Sequence, residues 1–484
     1  MWNTLTIYWR EITTSFAVID AILIVGVIPW ILRIKKDSTS ALAWCLLVIL
    51  LPVFGAILFV MLGYQSLDKP LARKKKHRRA YRDGGQNGYS SRRGPQSDSA
   101  ADTTWEGMDH LASRLDAYPL THGNAVTFFN EGTPFFEDLF AAVQAARHHI
   151  HIEIYIYEYD EIGRKLLEML ARKAREGVQV RLLYDAVGTR GLWWWRLREL
   201  REAGGKAEDF LPVSVLRRRF RINLRNHRKI IVIDGKLAYT GGMNIGCDYA
   251  SQGRLGHWRD TMLRIEGPAV ESLQSTFAED WSFACGEQAR GDEFEKFEPK
   301  AGDIAMQVIE SGPDQDLKSI REIYFAAVLK ARKKLWITTP YYVPDAGLRD
   351  AMRLAGLSGI EVKLIIPLHA DHFTVHYATQ YYLPELLDAG VQVYTYKKGF
   401  IHAKVLIADG EWASVGTANF DIRSLALNFE VNCLIYSQSK IAELEAAFER
   451  DLQDSERIDP AAFARRPLSS KLAENFCRLF SPIL

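Results

Sequence analysis

Residues 227–244 read HRKIIVIDGKLAYTGGMN, in which a histidine and a lysine precede an apolar run that ends at Asp234 and Gly235. Side chains alternate between the two faces of a strand, so His227 and Lys229 share one face and Asp234 lies on the other. Taken alone, this pattern fits a buried strand with a structural histidine as well as half of a catalytic site. Asp234 is expected behind the strand, where it would stabilise the turn at Gly235.

The same pattern returns at residues 402–419, which read HAKVLIADGEWASVGTAN. The two stretches align without gaps, and seven of their eighteen positions are identical. The identical pairs are His227 and His402, Lys229 and Lys404, Asp234 and Asp409, Gly235 and Gly410, Ala238 and Ala413, Gly241 and Gly416, and Asn244 and Asn419. A duplicated core alone would not preserve His, Lys and Asn, so the repeat indicates a duplicated functional site.

Strand and helix patterns alternate around both copies. The predicted strands are residues 149–157, 178–186, 334–345 and 360–368, with helices predicted at 135–150, 163–177, 317–335 and 346–359. This order is typical of an α/β fold whose sheet is covered by helices. We therefore predict two duplicated α/β sandwich domains, at residues 105–300 and 301–484.

The doubled motif predicts chemistry at a phosphodiester. Lysine and asparagine side chains are donors suited to phosphate oxygens. One neutral histidine could attack phosphorus and a protonated one could donate to the leaving alcohol, through a phosphohistidine. This scheme needs no metal or cofactor, and no carboxylates or cysteines stand at ligand spacing beside the histidines. The five cysteines are scattered and odd in number, which argues against a disulfide framework.

The N-terminal residues 1–65 are predicted to be a membrane anchor of two helices. Ala41–Gly63 runs for 23 residues without a charge, and Ile12–Ile34 is mostly apolar. A cleaved signal peptide is the alternative for the first segment, but apolar sequence resumes at once after the "ALA" at 41–43. Residues 66–104 are predicted to be a linker, basic at first and then flexible.

The basic part of this linker indicates how the chain is oriented. Residues 69–82 contain eight Lys and Arg, against three in the short loop between the predicted helices. The positive-inside rule then places everything after residue 64 in the cytoplasm. Anionic lipid headgroups are the expected partners of the cluster, in preference to nucleic acid, because a membrane helix adjoins it.

The paired motif, H-x-K-x-x-x-x-D followed by G-[GST]-x-x-N, resembles the phospholipase D superfamily over roughly residues 105–484. Other segments resemble the bacterial cardiolipin synthases. They are STSALAW, LPVFGAILFVMLG, NLRNHRK, GGMNIGCDY, HWRD, TPYYVPD, NFDIRSLALNFE and the final LFSPIL. The resemblance implies two phospholipase D-type domains that form a pseudo-dimer, preceded by two transmembrane helices.

The resemblance also implies a reaction. A phosphatidyl group would pass from one phosphatidylglycerol to a second one, giving cardiolipin and glycerol. The alternative is a membrane-bound phospholipase D, or another phosphatidyltransferase that hydrolyses or exchanges headgroups. A scaffold built on an inactivated fold is disfavoured, because the polar residues of both motifs are intact.

Site roles follow from the resemblance as well. The motif residues His227, Lys229, Asp234, His402, Lys404 and Asp409 are the catalytic candidates, and Lys229, Asn244, Lys404 and Asn419 would bind phosphate. His227 is assigned as nucleophile and His402 as general acid and then base, and the spacing equally permits the reverse. Glu430 and, less directly, Asp260 would orient the imidazoles. The oligomeric state is left open.

Two further segments have alternative interpretations. GLWWWRLREL at 191–200, with Trp193–Trp195, fits either a membrane interface or a core anchor on a solvated helix. The last helical pattern, with Leu472, Phe476, Leu479 and Phe480, is expected to pack on the second domain in preference to the bilayer.

Overall fold

The computed structural model describes residues 2–35, 38–63, 74–75, 105, 107–189, 191–192, 194–212, 224–253, 255–287 and 301–481. These residues form two compact units, the first ending before residue 73 and the second containing both copies of the motif. The segment 83–104, predicted to be a flexible linker, lies outside this description, as do residues 213–223, Trp193 and the final three residues. So does the basic cluster, apart from Lys74 and Lys75.

The first unit is helical. It consists of α1 (Trp2–Ile34), α2 (Ser38–Leu50), α3 (Pro52–Leu58) and a π-helical turn at Phe59–Gly63. Within the described part of the chain, α1 is the one helix long and apolar enough to cross a membrane, by its stretch Ala17–Ile34. A small cluster of buried side chains joins the helices, comprising Ile31, Ala41, Cys45, Val48 and Phe59.

The second predicted membrane helix is wrong as a single element, because the chain bends at Pro52. Proline has no N–H and clashes with the preceding turn, so it begins α3 and does not continue α2. A Cβ added at Gly55 would lie 2.7 Å from the Leu47 carbonyl oxygen, which shows how closely α3 packs on α2. The 13 residues of α2 rise only about 20 Å. A second spanning helix is therefore not confirmed.

The second unit is a mixed α/β structure. Its helices are α4 (Met108–Arg114), α5 (Gly132–Ala145), α6 (Glu161–Arg175), α7 (Arg198–Glu202), α8 (Ala269–Cys285), α9 (Ser319–Lys330), α10 (Ala346–Leu357), α11 (Phe373–Asp388), α12 (Ile422–Ala426), α13 (Gln438–Gln453), α14 (Pro460–Ala464) and α15 (Leu468–Arg478). A short 3₁₀ turn spans Cys247–Ala250.

The strands come in two series of similar order. Those of the first half are β1 (Thr121–Glu131), β2 (His149–Ile154), β3 (Gln179–Asp185), β4 (Lys206–Phe210), β5 (Ile230–Ile233), β6 (Leu237–Gly241) and β7 (His257–Glu266). Those of the second half are β8 (Ile304–Ser311), β9 (Lys334–Thr338), β10 (Tyr342–Val343), β11 (Glu361–Pro367), β12 (Gln392–Tyr396), β13 (Gly399–Ile401), β14 (Val405–Ala408), β15 (Trp412–Gly416), β16 (Phe420–Asp421), β17 (Glu430–Ile435) and β18 (Ser455–Arg457).

The main sheet is a duplication joined at its centre. Its order is β18-β12-β11-β9-β14-β15-β17-β8-β1-β7-β6-β5-β2-β3-β4. Read outward from the β8–β1 pair, each half has four antiparallel and then two parallel pairs, and β18 adds a further antiparallel strand to the second half. The predicted duplicated α/β fold is therefore confirmed, with both repeats in one continuous sheet.

Each half has its own hydrophobic core, and the chain crosses between them in two places. Phe400 of β13 is buried in the core of the first half. Conversely, Trp105 and α4 pack in the core of the second half, where Trp105 stacks on Trp412 at 5.4 Å between ring centroids. The first domain was predicted to start at Trp105. Trp105 and α4 instead pack in the core of the second half.

The C-terminal helix α15 packs on the second half through a different face from the predicted one. Cys477 belongs to the second core, whereas Leu472, Phe476 and Leu479 are each more than 60 % exposed. Trp194 and Trp195 are likewise exposed, so neither anchors a core.

Candidate active site

The first motif starts in an extended segment that reaches into the opposite half of the sheet. The backbone N–H of His227 donates to the carbonyl of Phe429 at 2.9 Å, and the N–H of Phe429 donates to Arg225 at 2.9 Å. Phe429 directly precedes β17 of the second half. His227 is thus positioned by a strand of the other repeat, and the strand β5 begins only at Ile230.

The second motif makes the reciprocal contact. Strand β13 pairs in parallel with β7 of the first half, and the N–H of His402 then donates to the carbonyl of Arg259 at 2.7 Å. Each histidine therefore stands where its own motif meets the other repeat. This exchange brings the two motifs together at the centre of the sheet.

A buried carboxylate from the opposite half contacts each imidazole. Nδ1 of His227 lies 2.9 Å from Oε2 of Glu430, and Nδ1 of His402 lies 2.8 Å from Oδ2 of Asp260. Strand register shows that the two carboxylates are equivalent, since Gly241 pairs with Met262 and Gly416 with Asn432. Each repeat thus supplies the carboxylate for the histidine of the other.

Both carboxylates are ionised and fix the imidazole tautomer. Burial would raise the pKa of Glu430, but His227 and Lys229 together hold it below its ordinary value. The pKa of Asp260 is likewise lowered, against the effect of burial, by Lys404 and His402. An ionised carboxylate only accepts hydrogen bonds, so Nδ1 of each ring donates. Nε2 is therefore the atom available to a substrate.

Small differences in the motifs fit these two carboxylates. A Cβ added at Gly242 would lie 1.9 Å from Oδ1 of Asp260, so only glycine fits there. The corresponding residue of the second copy is Thr417, whose hydroxyl donates to Oε2 of Glu430 at 2.5 Å. The variable position of the motif is thus matched to the carboxylate beside it.

Burial leaves the imidazoles uncharged and weakens the charge of the lysines. It lowers the pKa of both His227 and His402 to about 4. Burial also lowers the pKa of Lys229 to about 7 and that of Lys404 to about 8, and the charge of Lys404 contributes to the shift at Lys229. The site therefore favours an anionic ligand, because a negative charge nearby would raise the pKa of both lysines and keep them fully protonated.

The lysines lie directly beside the histidines. Nζ of Lys229 donates to the carbonyl of His227 at 2.8 Å, and Nζ of Lys404 donates to the carbonyl of His402. Each ammonium carries three protons, so donors remain for a ligand. Nζ of Lys404 also lies 2.9 Å from Nδ1 of His402, a contact that cannot be a second hydrogen bond while that nitrogen donates to Asp260.

The two asparagines differ from each other. Asn244 is engaged within the protein, because its Oδ1 accepts from the N–H of Ile156 at 3.0 Å and its Nδ2 donates to the hydroxyl of Tyr249 at 2.7 Å. In Asn419, Oδ1 is buried and has no hydrogen-bond partner among the described residues. Contact of either amide with phosphate remains a prediction.

The motif aspartates lie apart from the histidines. Asp234 accepts from the N–H groups of residues 147–149 at 2.8–3.0 Å. Asp409 accepts from those of residues 332–334 at 2.8–3.2 Å. Both adopt positive φ, 53° and 55°. They fasten the starts of β2 and β9 to the motif turn, which is the stabilising role expected for Asp234. A direct catalytic role for either aspartate stays a prediction.

Three aromatic side chains at the site were not predicted. Tyr155 meets the His227 ring edge-on at 4.8 Å between centroids. Trp258 and Tyr341 lie 5.3 Å and 6.4 Å from the His402 ring. Trp258 and Tyr341 belong to the segments HWRD and TPYYVPD, of which only Asp260 was predicted as a site residue.

A second missed feature lies behind the first motif. Arg228 is buried and ion-paired with Asp280, and with Glu310 at 2.8 Å. Asp280 also contacts Nζ of Lys74 at 2.7 Å, and Lys74 lies 2.8 Å from Glu279 and 3.6 Å from Asp314. We call Glu279, Asp280, Glu310 and Asp314 the buried acidic cluster. Lys74 of the basic cluster thus faces acidic side chains and not lipid.

In the part of the chain that the structure describes, no three His, Cys, Asp or Glu side chains are grouped so that they could hold a metal ion.

The protein family described as "Cardiolipin synthase, PLD-like domain" matches the chain twice, at residues 139–281 and 324–452. Residues 18–63 match a family described as "Phospholipase_D-nuclease N-terminal".

Individual relatives agree over most of the chain. The major cardiolipin synthase ClsA of Bacillus subtilis is 38% identical over 94% of this chain and 95% of its own length. The chain belongs to the cardiolipin synthase family. A cardiolipin synthase of Geobacillus kaustophilus is 43% identical over 77% of this chain and 75% of its own. The resemblance noted in the sequence is therefore confirmed, and the motifs described above are those of a cardiolipin synthase family member.

A solved structure shares the fold at low identity. The crystal structure of phosphatidylserine synthase from Haemophilus influenzae superposes with a TM-score of 0.61 at 16% identity, covering 78% of this chain and all of the other. This likeness supports the duplicated phospholipase D-like architecture and carries no further argument about substrate.

Proposed function

We propose that this protein is a phosphatidyltransferase that makes cardiolipin and glycerol from two molecules of phosphatidylglycerol. The observation that carries the proposal is the reciprocal pairing of each motif histidine with a buried carboxylate of the other repeat. This arrangement presents two imidazoles and two ammonium groups to one anionic phosphodiester. Family membership supports the choice of lipid.

In the first step, Nε2 of His227 forms a bond to phosphorus and the bond from phosphorus to the headgroup glycerol breaks. The departing glycerol oxygen takes a proton from Nε2 of His402. Because both histidines are neutral in the empty site, His402 must gain this proton as the anionic lipid binds and raises its pKa. Lys229 and Lys404 stabilise the negative charge on the phosphoryl oxygens.

In the second step, a hydroxyl of another phosphatidylglycerol gives its proton to His402. Its oxygen bonds to phosphorus, the bond from phosphorus to His227 breaks, and cardiolipin is released. Water could take the place of the lipid hydroxyl, and phosphatidic acid would then be the product.

The membrane assignment is part of the proposal. Helix α1 is long and apolar enough to span a bilayer, and the shorter α2 and α3 adjoin it. We infer attachment to the bacterial inner membrane by this N-terminal unit, with the catalytic unit in the cytoplasm as the excess of Lys and Arg at 69–82 indicates.

Product analysis tests the function. The full-length protein in phosphatidylglycerol vesicles should form cardiolipin and glycerol in equal amounts. Phosphatidic acid with no cardiolipin would reject the synthase assignment in favour of a phospholipase D.

Activity should depend on pH through the buried site groups. We expect kcat/KM to need neutral His227, which forms above pH about 4, and to decline above that pH because His402 must take up a proton as the lipid binds. The decline should steepen through pH about 7 to 8, where the lysines lose their protons. Arginine keeps its charge, so Lys404→Arg should shift the alkaline fall of any remaining activity upward in pH. A profile that is flat from pH 6 to 9 would contradict the assignment of these lysines.

The two carboxylates should differ in a way that reports the roles of the histidines. Glu430→Gln is expected to lower kcat by about 10²-fold or more, since the nucleophile loses its oriented tautomer. Asp260→Asn should lower kcat for phosphatidylglycerol by a similar factor. Formation of the intermediate from phosphatidyl-p-nitrophenol should be much less affected by Asp260→Asn, because that leaving group needs no acid. Equal losses on both substrates for both variants would contradict these separate roles.

A further inference from the structure

An acidic side chain beside the second motif takes no part in holding the imidazole. Asp371 lies in the loop between β11 and α11, and its Oδ2 accepts from the hydroxyl of Tyr341 at 2.6 Å. The Tyr341 ring in turn lies 6.4 Å from the His402 ring. Tyr341 therefore holds the Asp371 carboxylate near His402. Burial lowers the pKa of His402, and Asp371 is among the charges that oppose this shift.

The second half also has buried acceptor atoms that no protein donor satisfies. Oδ1 of Asp371 is buried without a hydrogen-bond partner among the described residues, and so is Oδ1 of Asn419 in the second motif. A buried acceptor left unpaired is costly, so such atoms are normally paired with a donor. The Asp371 side chain as a whole is 26% exposed although its Oδ1 is buried, and Nε2 of His372 lies 3.7 Å from its Oδ2. The carboxylate therefore lies at the border between the buried site and the surface.

Two acceptor side chains beside the first motif are already paired. Oδ1 of Asn244 accepts from the N–H of Ile156. Asp185, at the end of β3, accepts at Oδ1 from the N–H groups of Val187 and Gly188 at 2.9 Å and 2.8 Å. The two halves are therefore alike in their histidines and lysines but differ in their unpaired acceptors. Among the four side chains compared, only Asn419 and Asp371 have an acceptor atom without a partner in the described part of the chain.

The missing donors identify the chemistry of the ligand. A phosphodiester brings only acceptors, whereas the glycerol headgroup brings hydroxyl donors next to the oxygen that leaves or attacks. A cationic headgroup is disfavoured by the two ammonium groups of Lys229 and Lys404. We propose that Asp371, held by Tyr341, accepts a hydrogen bond from a glycerol hydroxyl of the leaving and the entering lipid and so selects alcohols that carry a neighbouring hydroxyl.

This inference rests on the proposed function, because that function places the alcohol oxygen at His402. It also explains why the two halves differ in their unpaired acceptors, because each half performs a different part of the reaction. The first half holds the phosphatidyl group, and the second half recognises the alcohol. If the histidine roles were reversed, Asp371 would lie on the wrong side to affect alcohol choice.

The test is competition between alcohols for the phosphatidyl enzyme. The full-length protein in phosphatidylglycerol vesicles receives equal concentrations of propane-1,2-diol and 1-propanol, and the two phosphatidyl alcohols are quantified. The wild type should favour the diol. Asp371→Ala should reduce this preference by about tenfold or more, the effect of one hydrogen bond to a charged group. Tyr341→Phe should reduce it less, because the carboxylate remains but is no longer held.

Asp388→Ala is the matched control, since Asp388 is an exposed acid at the far end of α11. It should leave the product ratio unchanged. Equal loss of both alcohol products in Asp371→Ala, with the ratio unchanged, would mean that Asp371 is only structural and would overturn the proposal. The same is true if the wild type shows no preference for the diol. The ratio is measurable even if vesicles yield phosphatidic acid and no cardiolipin, so failure of the synthase assignment is distinguished from failure of this inference.

Discussion

His227→Ala is expected to lower cardiolipin formation at least about a thousandfold and to abolish the covalent intermediate. Without the imidazole no atom at this position can bond to phosphorus, and loss of a nucleophile removes nearly all of the rate that depends on it. The neighbouring Lys229 and Glu430 remain, so lipid binding should persist. Radiolabelled phosphatidylglycerol followed by a rapid quench would measure the label bound to protein.

His402→Ala is the informative partner of this variant. Its turnover of phosphatidylglycerol should also be nearly lost, because the glycerol oxygen receives no proton. With phosphatidyl-p-nitrophenol, however, His402→Ala should still release one equivalent of p-nitrophenol and retain labelled protein. If His227→Ala accumulates label and His402→Ala does not, the assignment of nucleophile and acid is reversed.

The duplicated site could be predicted because its polar residues repeat. Between the two motif copies apolar residues interchange, as at Ile231 and Leu406, while His, Lys, Asp and Asn recur at the same spacing. Chemistry restricts those positions more strongly than packing does. The alternation of strands and helices around them was sufficient to predict the α/β class.

The reciprocal pairing of the halves could not be predicted from spacing. Asp260 follows Asn244 by 16 residues, whereas Glu430 follows Asn419 by 11. A short helical turn begins three residues after each asparagine, at Cys247 and at Ile422, so the extra residues lie between Ala250 and Asp260. The two carboxylates become equivalent only through the register of β6 with β7 and of β15 with β17. Such tertiary pairing is not visible in a linear count.

The membrane anchor shows a different limit. An uncharged run of 23 residues is long enough for one spanning helix, but composition does not register a backbone break. Pro52 supplies that break, and α3 packs back on α2 at Gly55. In a similar way, Lys74 was grouped with its basic neighbours because the acidic residues that surround it come from positions beyond 278.

Lys74→Met is expected to lower the free energy of unfolding of the catalytic unit by about 3–5 kcal/mol. Lys74 is fully buried, and although burial opposes its charge, Asp280, Glu279 and Asp314 raise its pKa above the ordinary value. Its removal leaves these carboxylates without that cation. Arg228 is then the cation that still pairs with Asp280 and Glu310. In the sequence, Arg228 stands between His227 and Lys229 of the motif.

Lys75→Met is the matched control for this experiment. The Lys75 side chain is 31% exposed and pairs with Asp316, which is 79% exposed. An exposed pair of this kind contributes little, so its loss should change stability by at most about 1 kcal/mol. Thermal and denaturant unfolding of both variants in detergent would give the difference.

A double-mutant cycle separates the ion pair from other effects of the methionine. Adding Glu279→Gln removes one of the charges that Lys74 neutralises, so the double variant should be less destabilised than the sum of the two single variants. The Arg228 side chain also donates to the backbone carbonyl of Glu430 at 3.2 Å, which links the buried acidic cluster to the carboxylate of the His227 pair. Lys74→Met should therefore lower kcat in the protein that remains folded, whereas Lys75→Met should not. Equal stability of the two lysine variants would show that Lys74 contributes no more than a surface charge.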